Sequence, residues 1–118
     1  MAVPARTVDR SGFVTAADAY LADCFARETP PHVNELATRC QLPTAAFSRG
    51  FLFAVGEQPG AYLKRGQVQH AAELLRTTNL TMNAVGYAAG FGTRMSFFRA
   101  FRRATGKTPQ QYRDTFSR

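Results

Sequence analysis

A chain of 118 residues, 45% of them hydrophobic, can bury a core without metals or disulfides and has room for one domain or two very small ones sharing helices. Its net charge of +7 is one-sided: residues 1–63 carry five Lys/Arg against six Asp/Glu, and residues 64–118 carry ten against two. Arg94 to Lys107 alone hold five cations and no anion, a field that suits a polyanion, most simply nucleic acid, better than a scattered solubilising surface does.

In chain order, residues 1–14 mix Pro, Gly and Ser without periodicity and are expected to form a flexible lead-in. A first helix is expected from Thr15, with Ala19, Tyr20, Cys24 and Phe25 along one face. Thr29-Pro30-Pro31 ends it, because Pro disfavours α geometry in the residue before it. A second helix from His32 or Val33 to Cys40 places Val33, Leu36, Ala37 and Cys40 at i, i+3, i+4 and i+7. Pro43 breaks the chain, and Thr44 is expected to cap a third helix, Ala45 to Val55, that Gly56 ends in a left-handed cap. Pro59 suits the first turn of a long helix to Arg76, which buries Tyr62, Leu63, Val68, Ala71, Ala72, Leu74 and Leu75. Thr78 to Thr81 reads as a turn with a cap before a fifth helix, Met82 to Ala89. Gly90-Phe91-Gly92 turns the chain, Thr93 caps a sixth helix to Ala104, and Gly106 ends it. Thr108 caps a last short helix carrying Tyr112 and Phe116. No stretch alternates with period two, so the fold class is all-α with about seven helices.

The chain also repeats itself. Phe47, Arg49, Phe51, Ala54, Gly56, Pro59 and Tyr62 recur fifty positions on as Phe97, Arg99, Phe101, Ala104, Gly106, Pro109 and Tyr112. A short helix, a tight turn and a second helix occur twice, over Val33–Val55 and Met82–Thr105, which is the pattern of a helix-turn-helix. Leu36, Ala37 and Leu42 would form a small core with Phe47 and Phe51; Val85, Gly86 and Phe91 would do so with Phe97 and Phe101. The second helix of each pair then stands proud, with an outward face that fits a DNA major groove. The domain plan is a lead-in (1–14), a first helix-turn-helix unit (15–58), a linker helix (59–77) and a second unit (78–118).

Gly90–Arg113, GFGTRMSFFRAFRRATGKTPQQYR, resembles the signature of the AraC/XylS family of transcriptional regulators, in which GF is followed by F-x-R-x-F, two basic residues, G-x-x-P and [YF]-R. Leu36–Arg65 resembles the family's first helix-turn-helix and the start of its linker helix, and the likeness covers roughly residues 15–116. It implies one polypeptide with two helix-turn-helix units placed in successive major grooves of promoter DNA. A linker of about 17 residues spans ~25 Å at 1.5 Å per residue, a plausible spacer for grooves ~34 Å apart once half a domain is added at either end. The resemblance favours an activator that contacts RNA polymerase, preceded in many members by a sensing or oligomerising domain. It leaves open a compact regulator or the C-terminal part of a longer protein.

By resemblance, Arg94, Met95, Ser96 and Arg99 are the base-reading positions of the second unit. Arg can bond guanine O6 and N7 bidentately, and Met95 suits a thymine methyl. Arg102, Arg103 and Lys107 are expected on phosphates, as are Thr44 and Thr93 at the helix starts. A competing reading of Arg99, whose counterpart is Arg49, is a structural tie between helices. In the first unit the outward base-reading positions are Ala45, Ser48 and Arg49, with Ala46 and Leu52 beside them. Here the chain departs from the family, which has two basic residues where this chain has Leu52 and Phe53, and an Arg where it has Gln67. With Phe47 and Phe51 inward, Leu52 is left outside while Phe53 is open to burial. Leu52 and Phe53 are therefore a candidate interface for a sensor domain, a second protomer or RNA polymerase, or simply a surface packed on the first helix. An interaction module that keeps the fold and binds DNA weakly is the alternative function.

No acid, base and nucleophile are grouped, so an enzyme is not expected. Cys24 and Cys40 lack metal or disulfide spacing, and His32 and His70 stand alone, so no metal and no cofactor are expected. No apolar run is long enough to span a membrane, and a cytoplasmic, nucleoid-associated protein is expected.

Overall fold

The computed structural model describes residues 9–116. Seven helices and no strand occur among them: α1 (Arg10–Arg27), α2 (Val33–Arg39), α3 (Thr44–Val55), α4 (Pro59–Thr77), α5 (Met82–Ala88), α6 (Arg94–Thr105) and α7 (Pro109–Phe116). They fall into two compact units. One comprises the described residues up to Asp23 together with Pro31–Leu63; the other comprises Cys24–Pro30 and the described residues from Lys64 onward.

The first unit is organised by rings. Phe47 and Phe51 are fully buried one turn apart on α3, and Phe13 meets both with ring centroids at 5.5 Å. This corrects the expected lead-in. Residues 10–14 already belong to α1, and only 1–8 of that lead-in lie outside the described residues. Two local causes explain the early start. Asp9 accepts the Gly12 N–H at 2.7 Å, as a helix N-cap does. Phe13, 1% exposed, has its place because Gly50 opposite carries no side chain: a Cβ there would stand 3.1 Å from the Phe13 ring. The buried face of α1 is Phe13, Ala17, Tyr20, Leu21 and Cys24, whereas Ala19 points to solvent.

Tyr20 anchors α2. Its hydroxyl donates to Glu35 and accepts the His32 N–H, and Arg39 lies over its ring while pairing with Asp23 at 2.8 Å. The turn from α2 to α3 runs through Gln41 at φ 61°, a left-handed conformation that costs a non-glycine residue about 1–2 kcal/mol. Thr44 does not cap α3. Pro43 occupies the N-cap place, its carbonyl accepting the Phe47 N–H at 2.9 Å, and Thr44 is the first helical residue. Gly56 ends α3 in the left-handed conformation, at φ 93°.

The second unit repeats the plan with better-sealed ends. Its core is Val68, Ala71, Leu75, Val85, Ala89, Phe91, Phe97 and Phe101, flanked by Leu74, Met82 and Tyr112. Thr81 accepts the Ala84 N–H and Thr93 the Ser96 N–H, so both short helices are capped. Thr108 and Gln111 exchange two hydrogen bonds, a capping box for α7. Gln67, only 4% exposed, donates to the carbonyls of Ala89 and Gly90, closing the end of α5. Arg113 reaches from α7 to three carbonyls, those of Leu75, Thr78 and Leu80. No described helix is long and apolar enough to cross a membrane.

Candidate nucleic-acid interface

The position of α6 is set from its buried side. The Phe97 and Phe101 rings lie 5.9 Å apart; Phe91 stands 5.3 Å from the first and Tyr112 5.2 Å from the second. Gly86 on α5 makes the close crossing sterically permissible, because a Cβ there would come within 3.1 Å of the Phe97 ring. Once these rings are inward, helical geometry leaves Arg94, Met95, Ser96, Arg99, Arg102 and Arg103 exposed, with Lys107 exposed just beyond Gly106. The structure thus brings every position singled out on α6 to one solvent surface of the second unit.

Their surroundings differ. Arg94 donates through Nη1 to Asn83 Oδ1 at 3.1 Å and lies 4.8 Å over the Phe98 ring. Arg99, Arg102 and Arg103 make no hydrogen bond or ion pair among the described residues, so the structural-tie reading of Arg99 finds no contact to support it. Arg49 is likewise exposed and unpaired among the described residues. The tie is made instead by Arg113, the last residue of the signature, and by Gln67. Met95 is 67% exposed, a large apolar side chain held out on a cationic helix. Thr93 accepts the Ser96 N–H and donates its own hydroxyl to Ser96 Oγ at 3.0 Å. Lys107 donates to Thr115 Oγ1 at 3.2 Å.

On α3, Thr44, Ala45 and Arg49 are exposed, and Ala46 and Ser48 are half-buried. Leu52 is 42% exposed and Phe53 is 93% exposed. The alternative in which this surface packs away is therefore overturned: both side chains face solvent. The reason is helical phase, since Phe47, Phe51 and the half-buried Ala54 take the inward stripe and leave positions 52 and 53 outside.

Of the remaining chemistry-bearing groups, Cys40 is buried and His70 half-buried. Burial pushes the Cys40 thiol above its ordinary value, which disfavours the reactive thiolate. His70 stacks flat on Phe25 at 4.2 Å, and burial lowers its pKa while Glu73 opposes the shift. Sequence reasoning missed Asn83: an exposed polar residue on a short helix carries no pattern, and only the fold shows that it faces Arg94.

Comparison with known proteins agrees with this architecture. Residues 36–115 match the family model described as a helix-turn-helix domain. The HTH-type transcriptional regulator Rv1931c of Mycobacterium tuberculosis is 38% identical over 85 residues, 72% of this chain and 33% of that regulator. An AraC-like transcription regulator of Streptomyces lividans is 37% identical over 81 residues, 69% of this chain and 27% of that protein. The chain thus spans a third or less of the length of these curated relatives. The crystal structure of the DNA-binding domain of AdpA, a global transcriptional factor, in complex with a target DNA superposes with a TM-score of 0.75 at 26% identity. That superposition covers 85% of this chain and 91% of the AdpA domain. Two helix-turn-helix units, the signature over Gly90–Arg113 and these likenesses place the chain in the AraC/XylS family of helix-turn-helix transcriptional regulators.

Proposed function

We propose that this chain binds promoter DNA sequence-specifically, with α6 and α3 as its two major-groove recognition helices. The observation that carries the reading is the outward face of α6, where four arginines and Met95 are exposed with no anion between them. Arg94, Met95, Ser96 and Arg99 are the base readers, the arginines suited to guanine and Met95 to a thymine methyl. Arg102, Arg103 and Lys107 contact phosphates and fix register without carrying sequence information. Thr44 and Thr93, exposed at the starts of α3 and α6, lie where phosphate meets a helix N-terminus. Ala45, Ser48 and Arg49 give α3 a much thinner set of contacts. Because the cations lie mainly on the second unit, affinity is expected to fall steeply with salt and to depend mostly on that unit.

In this reading the chain acts without catalysis in a nucleoid-associated regulator. Leu52 and Phe53 mark where RNA polymerase, a sensor domain or a second protomer docks, and activation proceeds through that contact. One observation favours a second reading, the protein-interaction module with weak DNA binding: Phe53 is almost wholly exposed where the family carries cations. Selection of bound sequences from a random duplex pool near physiological salt separates the two. Two enriched blocks about one turn apart support reading by both helices. A single block supports α6 alone. No enriched block from folded protein overturns the proposal in favour of the interaction module.

A further inference from the structure

Arg94 and Arg99 are both exposed cations on α6, yet only Arg94 is held. Its guanidinium lies over the Phe98 ring four residues on, at 4.8 Å, and one Nη1 hydrogen goes to Asn83 Oδ1 on the facing helix. A guanidinium has five N–H donors in a fixed plane. Ring and amide together fix that plane at two points and consume one donor, leaving the Nε/Nη2 edge complete for a bidentate acceptor. An unheld arginine loses several rotatable bonds' freedom on binding; a held one has lost much of it beforehand.

We infer that Asn83 is a positioning residue for sequence readout: it orients Arg94 toward a guanine without itself touching the base. This rests on the reading of α6 as a base-reading helix. The first unit supplies an internal contrast. Aligning the two turns on their matching bonds, Leu42 N–H to Ala37 O and Phe91 N–H to Gly86 O, sets Asn34 of α2 opposite Asn83. Counting from the repeat, Thr44 and Ser48 then stand where Arg94 and Phe98 stand. The amide is present in both units, but only the second has an arginine for it to hold.

The test compares Asn83→Ala, Arg94→Ala and the double variant by sequence selection and by affinity for the selected duplex and its single-base variants. Asn83→Ala is expected to weaken one guanine preference about three- to tenfold, as loss of one net hydrogen bond would. It should leave the other positions and the thermal midpoint unchanged, and should have no further effect once Arg94 is alanine. An equal loss at that guanine with and without Arg94 would mean that Asn83 contacts DNA itself, and overturns the inference. So does a tightening of binding, which would make Asn83 a restraint on Arg94, or a single-site preference that survives Asn83→Ala intact. If Arg94→Ala relaxes no base at all, the base-reading role of Arg94 fails, and the inference falls with it for a reason visible in that variant alone.

Discussion

The two helix-turn-helix units share a plan and differ in finish. Both set a pair of phenylalanines one turn apart on the inward side of the longer helix, both bury a small residue, Ala37 or Gly86, on the short helix before it, and both end the longer helix with a left-handed glycine. The second adds a side-chain cap on each short helix, a glycine at φ 80° where the first strains Gln41, a buried glutamine on the turn and four arginines outside. In the first, α3 has no side-chain cap, one cation and two exposed apolar side chains. Packing is what the duplication has kept; the outward chemistry and the helix ends are where the copies have parted. The core thus defines the fold twice over, while the outward cations are concentrated in one copy, four on α6 against one on α3.

The largest effects are expected at the ring sites the two units share. Phe97→Ala and Phe47→Ala are each expected to cost about 3–5 kcal/mol of stability, since each empties a fully enclosed ring site. Chemical denaturation would measure this, and a small loss for Phe47→Ala alone would mean that the first core is loosely held. Next come the outward arginines. Arg99→Ala should cost about 1–3 kcal/mol of specific binding and relax one base preference, with the fold intact. Arg49→Ala should cost less, and equal losses in a binding titration would show two readers of equal weight. Thr93→Ala should lower stability by about 1 kcal/mol through loss of the cap, whereas Thr44→Ala, at a helix start that its side chain does not cap, should change little. Thermal melts of the pair test that difference. Lys107→Ala should weaken binding to all duplexes alike and reduce the salt slope by about one unit. Smallest of all, Leu52→Lys should leave the melting curve in place and modestly strengthen binding if α3 faces phosphate. Unfolding by this variant would show Leu52 to be core after all.

Most element ends were legible because their causes are local. Gly56, Gly106, Pro59, Thr81, Thr93 and Thr108 each act within one turn of where they stand, and each stands where the sequence places a boundary. The inward face of α6 was legible for the same reason: Phe97 and Phe101 at i, i+4 leave the arginines no other side. The failures share the opposite cause. Phe13 falls in a stretch that reads as a lead-in because the ring sites that receive it, beside Phe47 and Phe51, are more than thirty residues away. Thr44 has the residue type of a cap, but it is already the first residue of the helix, with Pro43 at the N-cap place. Gln67 read only as a departure from the family, since its carbonyl partners, at Ala89 and Gly90, lie more than twenty positions on. Asn83 needed α5 and α6 in register before it meant anything.

The ties that close the second unit are made to neutral oxygens. Gln67 is an uncharged amide bonded to two carbonyls, and Arg113 spreads its charge over three more. Screening by dissolved ions weakens attraction between separated exposed charges far more than it weakens direct hydrogen bonds to uncharged carbonyls, of which the Gln67 pair is also buried. Raising ionic strength should therefore strip this protein from DNA well before it loosens the scaffold that presents α6. The slope of affinity against salt concentration then becomes a direct count of phosphates engaged, uncontaminated by unfolding.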